Sequence, residues 1–240
     1  MQGFYRLSVK FMLKYKKFAL RGDYMNSLIF AGIFAVLYGF FTSFIGNKLI
    51  DFLLMRKRYE LTFQDDMYIR GKNRKFFLFV LSAISAFFMI LNLEPFALAF
   101  ALIFAFGMII ATRTDMEQYL IFDVWLIPCA IIGIIAVLAM NLPFKEHILT
   151  AAALFVVTFI FAIFSKGGMG GGDVKLLAVI GLWLGYDLGL LTFVFGAVLG
   201  GVYSLFLLIT KKADKGTSFP YGPFFTISAL TVLALCGFQY

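Results

Sequence analysis

Long apolar stretches alternate with short polar ones along most of this chain. Many of the apolar stretches approach the ~20 residues that a helix needs to cross a bilayer. Glycine, proline, asparagine and charged residues separate them, which is typical of turns between helices. The pattern predicts an all-α polytopic membrane bundle of about eight transmembrane helices and no second domain, over residues 27–50, 76–93, 96–111, 123–140, 147–164, 174–185, 188–210 and 220–236.

Two polar regions interrupt this pattern. Residues 1–26 mix basic with aromatic side chains and hold no apolar run long enough to span a membrane. They predict an amphipathic helix that lies on the membrane surface, ahead of a membrane-embedded domain over residues 27–240. Residues 51–75 are rich in charge and predict a polar loop on the cytoplasmic side.

The composition supports a membrane protein. Hydrophobic residues make up 62% of the 240 and charged residues 14%, whereas soluble domains are nearer half and a quarter. We therefore attribute the net charge of +8 to contact with anionic membrane lipids, and we expect no nucleic-acid partner. The two cysteines, Cys129 and Cys236, lie in apolar runs and have no metal-ligand spacing, so we expect no metal site.

Lysine and arginine are distributed unevenly between the two sides of the predicted bundle. One side holds only Lys145, and the basic tail at residues 1–26 leaves its own orientation open. Because positive charge accumulates on the cytoplasmic side, Asp115 and Asp173 are predicted to face the cytoplasm. The thirteen lysines and arginines on the side of Asp115 and Asp173 are Arg56, Lys57, Arg58, Arg70, Lys72, Arg74, Lys75, Arg113, Lys166, Lys175, Lys211, Lys212 and Lys215.

Residues 167–173 concentrate five glycines and one aspartate at the edge of a predicted span. Glycine this dense destabilises a helix, which indicates a special backbone shape or close approach by another chain segment. An ionisable residue at such a position is a functional candidate because its desolvation is costly. The alternative is a glycine hinge in which Asp173 is a solvated cap of the next helix.

A second acidic cluster, formed by Asp115, Glu117 and Asp123, lies at a helix end on the same predicted side. If Asp115 and Asp173 meet, one carboxyl can hold a proton while the other acts as a base, and such a pair can activate water against a peptide bond. Glu117 is predicted to be a solvated loop acid. Two interpretations of Asp123 stay open: it is a site residue, or it is an acid at a helix start that the helix dipole favours.

Other catalytic sets are poorly supplied in this sequence. The only histidine, His147, lies on the opposite predicted side, so a serine or cysteine nucleophile would lack its base. The glycine run also lacks the Gly-Lys-Ser/Thr ending of a phosphate-binding loop.

Three motifs resemble the type IV prepilin peptidases, a family of membrane aspartic proteases. GMGGGDVKLLA at residues 168–178 is similar to that family's GxGD signature. DMEQYLIFDVWLIP at residues 115–128 resembles its upstream motif, in which a second aspartate follows the first by eight positions and a proline comes later. PYGPF at residues 220–224 resembles a proline-glycine-proline segment that enters the last helix.

The resemblance implies an endopeptidase that removes the short basic leader of prepilins or pseudopilins at the cytoplasmic membrane face. It would make Asp115 and Asp173 the catalytic pair, and Gly170 and Gly172 the points where the backbone approaches the site or substrate. Lys175 would steady the Asp173 end or extend toward the membrane interface. Proteolysis would need no cofactor.

The sequence departs from the family in the polar loop. Many bacterial members carry two CxxC pairs there, suited to zinc, in a region linked with N-methylation of the product. Residues 51–75 contain no cysteine, so methyltransferase activity, which would use S-adenosylmethionine, is left open.

Two alternatives to the interpretation as a prepilin peptidase remain. One is a transporter or channel whose carboxylates bind cations or protons, and the other is a presenilin-like intramembrane protease. The sequence does not indicate the oligomeric state.

Overall fold

A computed structural model describes residues 24–164, 169–210 and 220–238. Within these ranges the chain forms helices and connecting turns, with no strand. The predicted surface helix at residues 1–26 falls almost entirely outside them. A short 3₁₀ helix occupies Arg58–Glu60, and the α-helices are α1 (Tyr24–Arg56), α2 (Met67–Gly71), α3 (Arg74–Asn92), α4 (Pro95–Gln118), α5 (Asp123–Ala139), α6 (Phe144–Phe164), α7 (Gly171–Ile209) and α8 (Gly222–Cys236).

Five helical stretches of the described chain are long and apolar enough to cross a membrane: Met25–Arg56, Ile69–Asn92, Pro95–Gln118, Phe144–Phe164 and Gly171–Ile209. Two further apolar helices, α5 and α8, are shorter. The predicted all-α membrane bundle is therefore confirmed, but the count of eight transmembrane helices is not.

Helix α4 lies at the centre of the bundle. More than half of the residues in its most apolar part are buried inside the protein, against 17–28% for the other four long apolar stretches. Large side chains on it are fully enclosed, among them Phe104, Met108 and Ile109. The position of its last turn, which carries Asp115, is therefore set by contacts on several sides.

The end of α4 differs from the sequence prediction. Residues 112–122 were expected to be a polar connection after a helix over 96–111, yet the helix continues to Gln118. It ends where Tyr119 adopts a left-handed conformation (φ 53°) and its N–H donates to the carbonyl of Asp115 at 2.8 Å. The polar side chains of this turn are buried against partners from other helices, so they do not need solvent.

Helix α7 breaks at Gly185, one residue before the turn predicted at Tyr186 and Asp187. Gly185 has φ 71° and ψ −168°, a conformation that is essentially restricted to glycine. A Cβ placed on Gly189 would lie 3.4 Å from the Cα of Gly181. Eight residues of straight helix rise about 12 Å, so the two legs of α7 fold back sharply on each other.

His147 of α6 packs into this break. Its Nδ1 lies 2.7 Å from the carbonyl oxygen of Leu182, and its side chain is buried. The carbonyls in the last turn of a helix leg lack partners within the helix, and His147 supplies one. The single histidine therefore has a structural role at the break in α7 and belongs to neither acidic cluster.

We predict that Gly185→Ala destabilises the protein by about 1–3 kcal/mol, because alanine must adopt a glycine-only conformation. Its Cβ would also lie 2.9 Å from His147 Nε2. Thermal unfolding of the detergent-solubilised protein tests this. Gly201→Ala in the same helix is the matched control, since nothing lies within 4 Å of a Cβ there; equal melting temperatures for the two variants would contradict the prediction.

Candidate active site

Asp115 and Asp173 lie in the same cleft. Asp115 comes from the last turn of α4 and Asp173 from the first turn of α7, and both line a cavity of about 340 Å³. Their exposed fractions are 5% and 7%. The two carboxyls are close enough to interact electrostatically. The fold thus brings together the two acids that the sequence analysis singled out.

A backbone amide at the start of α8 binds Asp115. The N–H of Gly222, the first residue of that helix, donates to Asp115 Oδ2 at 3.0 Å. The first amides of a helix have no partner inside the helix and carry partial positive charge, so they favour a carboxylate.

Sequence reasoning did not select Gly222 as a site residue. The available signal was the PYGPF segment, in which a glycine followed by proline begins a helix. A Cβ at Gly222 would lie 2.6 Å from Asp115 Oδ2. Only glycine therefore lets the start of α8 approach Asp115 this closely.

Asp173 is held by the backbone just before it. Its Oδ2 accepts the N–H of Gly170 at 3.2 Å, and its own N–H donates to the Gly170 carbonyl at 3.1 Å. Its Oδ1 is buried and has no hydrogen-bond partner among the described residues. Since a buried polar atom without a partner is costly, this oxygen is suited to bind a water or a substrate group.

The two glycines singled out in the sequence have different surroundings. A Cβ on Gly172 would lie 3.1 Å from the Cβ of Ile121, a tight contact with the opposite side of the cleft. A Cβ on Gly170 would meet Asp173 Oδ2 at 3.4 Å, an ordinary contact distance. Gly172 therefore permits close packing, whereas Gly170 contributes its amide, which other residues also possess.

Lys175 and Asp123 pair with each other at the edge of the cleft. The Lys175 ammonium lies 2.7 Å from Asp123 Oδ2, and each side chain is about half exposed. The pair joins the start of α7 to the start of α5. The salt bridge therefore holds the Asp123 and Lys175 side chains together at the edge of the cleft.

Glu117 does not have the solvated position expected from the sequence. Its side chain is 1% exposed and receives hydrogen bonds from Arg74 at 2.6 and 2.8 Å and from Arg113 at 2.5 Å. Arg74 also pairs with Asp51. The expectation was wrong because Arg74 of α3 and Arg113, one turn earlier in α4, compensate the buried charge, so solvent is not needed.

The described residues contain no cluster of three or more histidine, cysteine or acidic side chains placed to hold a metal ion. Cys129 is buried and Cys236 is partly buried, and neither forms a disulfide in the part of the chain that the structure describes. The cleft is lined by carboxyl groups, by backbone of the glycine segment and by the lysines Lys57 and Lys175.

Fold and site together define a multi-pass helical membrane protein with two buried carboxyls in a cleft at one end of the bundle. Residues 102–205 match the type IV leader peptidase family. This stretch holds both aspartates and two of the three motifs, so the resemblance to this family is confirmed over the matched residues.

Several curated relatives support this assignment. The chain is 31% identical over 138 residues to the prepilin leader peptidase/N-methyltransferase of Stutzerimonas stutzeri, and 28% identical over 138 residues to that of Pseudomonas aeruginosa. Each alignment covers 55% of this chain and 48% of the relative, so the chain spans about half the length of these relatives.

A shorter alignment of 87 residues is 37% identical to the protein of the same name from Bacillus subtilis, and it covers 36% of this chain and 34% of that relative. No solved structure matches the chain.

We predict that Glu117→Gln destabilises the protein by about 3–5 kcal/mol, because it leaves two buried arginines without a full counter-charge. Asp123→Asn removes an acid from an exposed pair and should cost less than about 1 kcal/mol. Thermal unfolding of both variants in the same detergent tests this contrast. An equal loss of stability in the two variants would mean that burial does not determine how much these ion pairs contribute to the free energy of unfolding.

Proposed function

We propose that this protein is a membrane aspartic endopeptidase that removes the leader of type IV prepilins or pseudopilins, with Asp115 and Asp173 as its catalytic pair. The observation that carries the proposal is the meeting of these two buried carboxyls in one cleft, at the ends of two helices. The match to the type IV leader peptidase family over residues 102–205 supports the reaction class.

The chemistry follows from the pairing. Two desolvated carboxyls in one cleft do not both ionise readily, so one is protonated while the other is a base. The base takes a proton from a water molecule, whose oxygen attacks the peptide carbonyl carbon. The protonated carboxyl stabilises the developing oxyanion, and a proton is then delivered to the leaving amine as the C–N bond breaks.

The geometry of the cleft supports a carboxyl pair that activates water. Asp173 Oδ1 has no hydrogen-bond partner among the described residues, so it is open to a water molecule. The amide of Gly222 stabilises negative charge on Asp115, and the amide of Gly170 does the same for Asp173. Neither acid is neutralised by a salt bridge in the described chain, which keeps the pair reactive.

We place the cleft at the cytoplasmic face of the cytoplasmic membrane. The support is the distribution of charge along the sequence, since thirteen lysines and arginines at or between the helix ends fall on the predicted side of Asp115 and Asp173 and one falls on the other. A prepilin with an apolar helix in the membrane and its cleavage site at the surface would reach the cleft from this side.

N-methylation is named for the relatives and is not part of this proposal. The cysteine pairs that suit zinc are missing from residues 51–75, so the polar loop does not supply the thiolate ligands of such a site. Proteolysis by two carboxyls requires neither zinc nor S-adenosylmethionine.

We predict that Asp115→Asn and Asp173→Asn each lower cleavage of a candidate prepilin at least about 100-fold, because an amide cannot transfer the proton. Membranes containing each variant are incubated with the prepilin, and the product mass is recorded. Asp187→Asn, an exposed acid just beyond the break in α7, is the matched control.

Loss of cleavage in both site variants, with the control active, supports the carboxyl pair. Normal cleavage by either site variant would remove that aspartate from the mechanism. An ion or substrate flux that disappears with Asp173→Asn, in the absence of any cleavage, would instead favour a transporter.

We also predict that Gly222→Ala lowers the cleavage rate about 100-fold, since its Cβ would displace the Asp115 carboxyl and small misplacements of reacting groups cost this much. Alanine retains the backbone N–H, so the variant tests position alone. Gly32→Ala, where a Cβ meets nothing within 4 Å, serves as the control. A Gly222→Ala enzyme with wild-type activity would show that the approach of α8 does not fix Asp115.

A further inference from the structure

The polar segment between α1 and α3, residues 57–73, is joined to the end of α4 by hydrogen bonds. Gln118, the last residue of α4, is completely buried and binds the backbone of Phe63 at two points. The Phe63 N–H donates to Gln118 Oε1 at 2.9 Å, and Gln118 Nε2 donates to the Phe63 carbonyl at 3.2 Å. A two-point contact of this kind fixes both the position and the direction of the segment.

Arg70 adds a second attachment. Its guanidinium carbon lies 3.4 Å from the centre of the Phe63 ring and 5.5 Å from that of Tyr119. Its Nη1 donates to the carbonyl of Glu117 at 3.2 Å, and its own carbonyl accepts a hydrogen bond from Arg113 at 2.7 Å. The attachments join the segment to the turn of α4 that carries Asp115, so they fix the position of the segment relative to the aspartate.

The same segment forms part of the cleft. Lys57 and Glu60 line the cavity that holds Asp115 and Asp173, and they form an ion pair with each other. The pair Lys175 and Asp123 also lines the cavity and comes from the other helices around it. The two aspartates therefore share the cleft with two partly exposed ion pairs, one from the polar segment and one from the membrane helices.

We infer that the polar segment supplies a fixed wall of the substrate cleft through Lys57 and Glu60, which contact the peptide substrate, and that Gln118 and Arg70 are positioning residues. This rests on the proposed peptidase function and adds the surface that receives the peptide. The partner is an extended peptide with charged side chains near the scissile bond. Exposed ion pairs contribute little stability, so a charged substrate group exchanges with one member of a pair at small cost.

The attachment is tested with Gln118→Leu, which removes both hydrogen bonds to Phe63. Gln64→Leu is the matched control, because Gln64 makes one hydrogen bond, to Arg58 within the same segment, and none to α4. With two hydrogen bonds lost, we expect trypsin to cut the segment of Gln118→Leu about tenfold faster than that of the control. We also expect KM for the prepilin to rise about fivefold or more, with kcat within about twofold of wild type.

Arg70→Lys provides an independent variant should Gln118→Leu fail to accumulate. It keeps the charge of a partly exposed residue but loses the planar contact with Phe63. The same faster cutting of the segment is expected. Trypsin rates and KM values equal to those of Gln64→Leu would overturn the attachment, and a fall in kcat with unchanged KM would overturn the role in substrate binding.

Contact with the peptide is tested by photocrosslinking in full-length protein that also carries Asp173→Asn. Glu60 is replaced by p-benzoylphenylalanine, and Tyr59 is replaced in the control, since it is 99% exposed and does not line the cleft. We expect illumination to attach the prepilin at position 60 at least tenfold more than at position 59.

The outcomes of the crosslinking separate the two proposals. Cleavage by wild type without an adduct at position 60 overturns the wall and leaves the peptidase standing. An adduct at position 60 without cleavage by wild type supports the wall as a peptide-binding surface and overturns the peptidase. The absence of both overturns both.

Discussion

Two carboxyl groups buried near each other at the end of a membrane bundle lose hydration and repel one another. The arrangement of the helix ends around the cleft follows from this constraint. The start of α8 directs the Gly222 amide at Asp115, and the start of α7 places the Gly170 amide against Asp173. Free amides occur at the first turn of a helix, so the pair is stable only where several helices begin and end together.

The last turn of α4 carries two acids two residues apart with opposite surroundings. Glu117 is surrounded by the guanidinium groups of Arg74 and Arg113, and its charge is compensated. Asp115 has a backbone amide and a second acid nearby, and no cation pairs with it in the described chain. Environments that separate the behaviour of neighbouring acids are typical of sites that transfer protons. In this fold the paired acid stabilises the helix end, and the unpaired one is available for chemistry.

Hydropathy and motif spacing were informative where a property belongs to one continuous stretch. Most of the apolar helices and a turn at residues 186–187 were predicted, because a span needs an apolar run and polar residues interrupt that run where the chain turns. The polar residues 112–118 were misread because hydropathy reports polarity alone. A buried arginine–glutamate network has the same composition as a solvated loop, and its partners Arg74 and Asp51 come from elsewhere in the chain.

The sequence by itself determined the class of protein and the helical membrane architecture, and it singled out the two aspartates that the fold places in one cleft. Tertiary structure decided which groups surround them: the Gly222 amide, 107 residues from Asp115, and the pairing of Lys175 with Asp123 across 52 residues. A pattern along the chain shows which residue types are present and which face of a helix they occupy. Hydrogen bonds and ion pairs depend on distances of about 3 Å between atoms, and only the packing of the helices brings such distant residues that close.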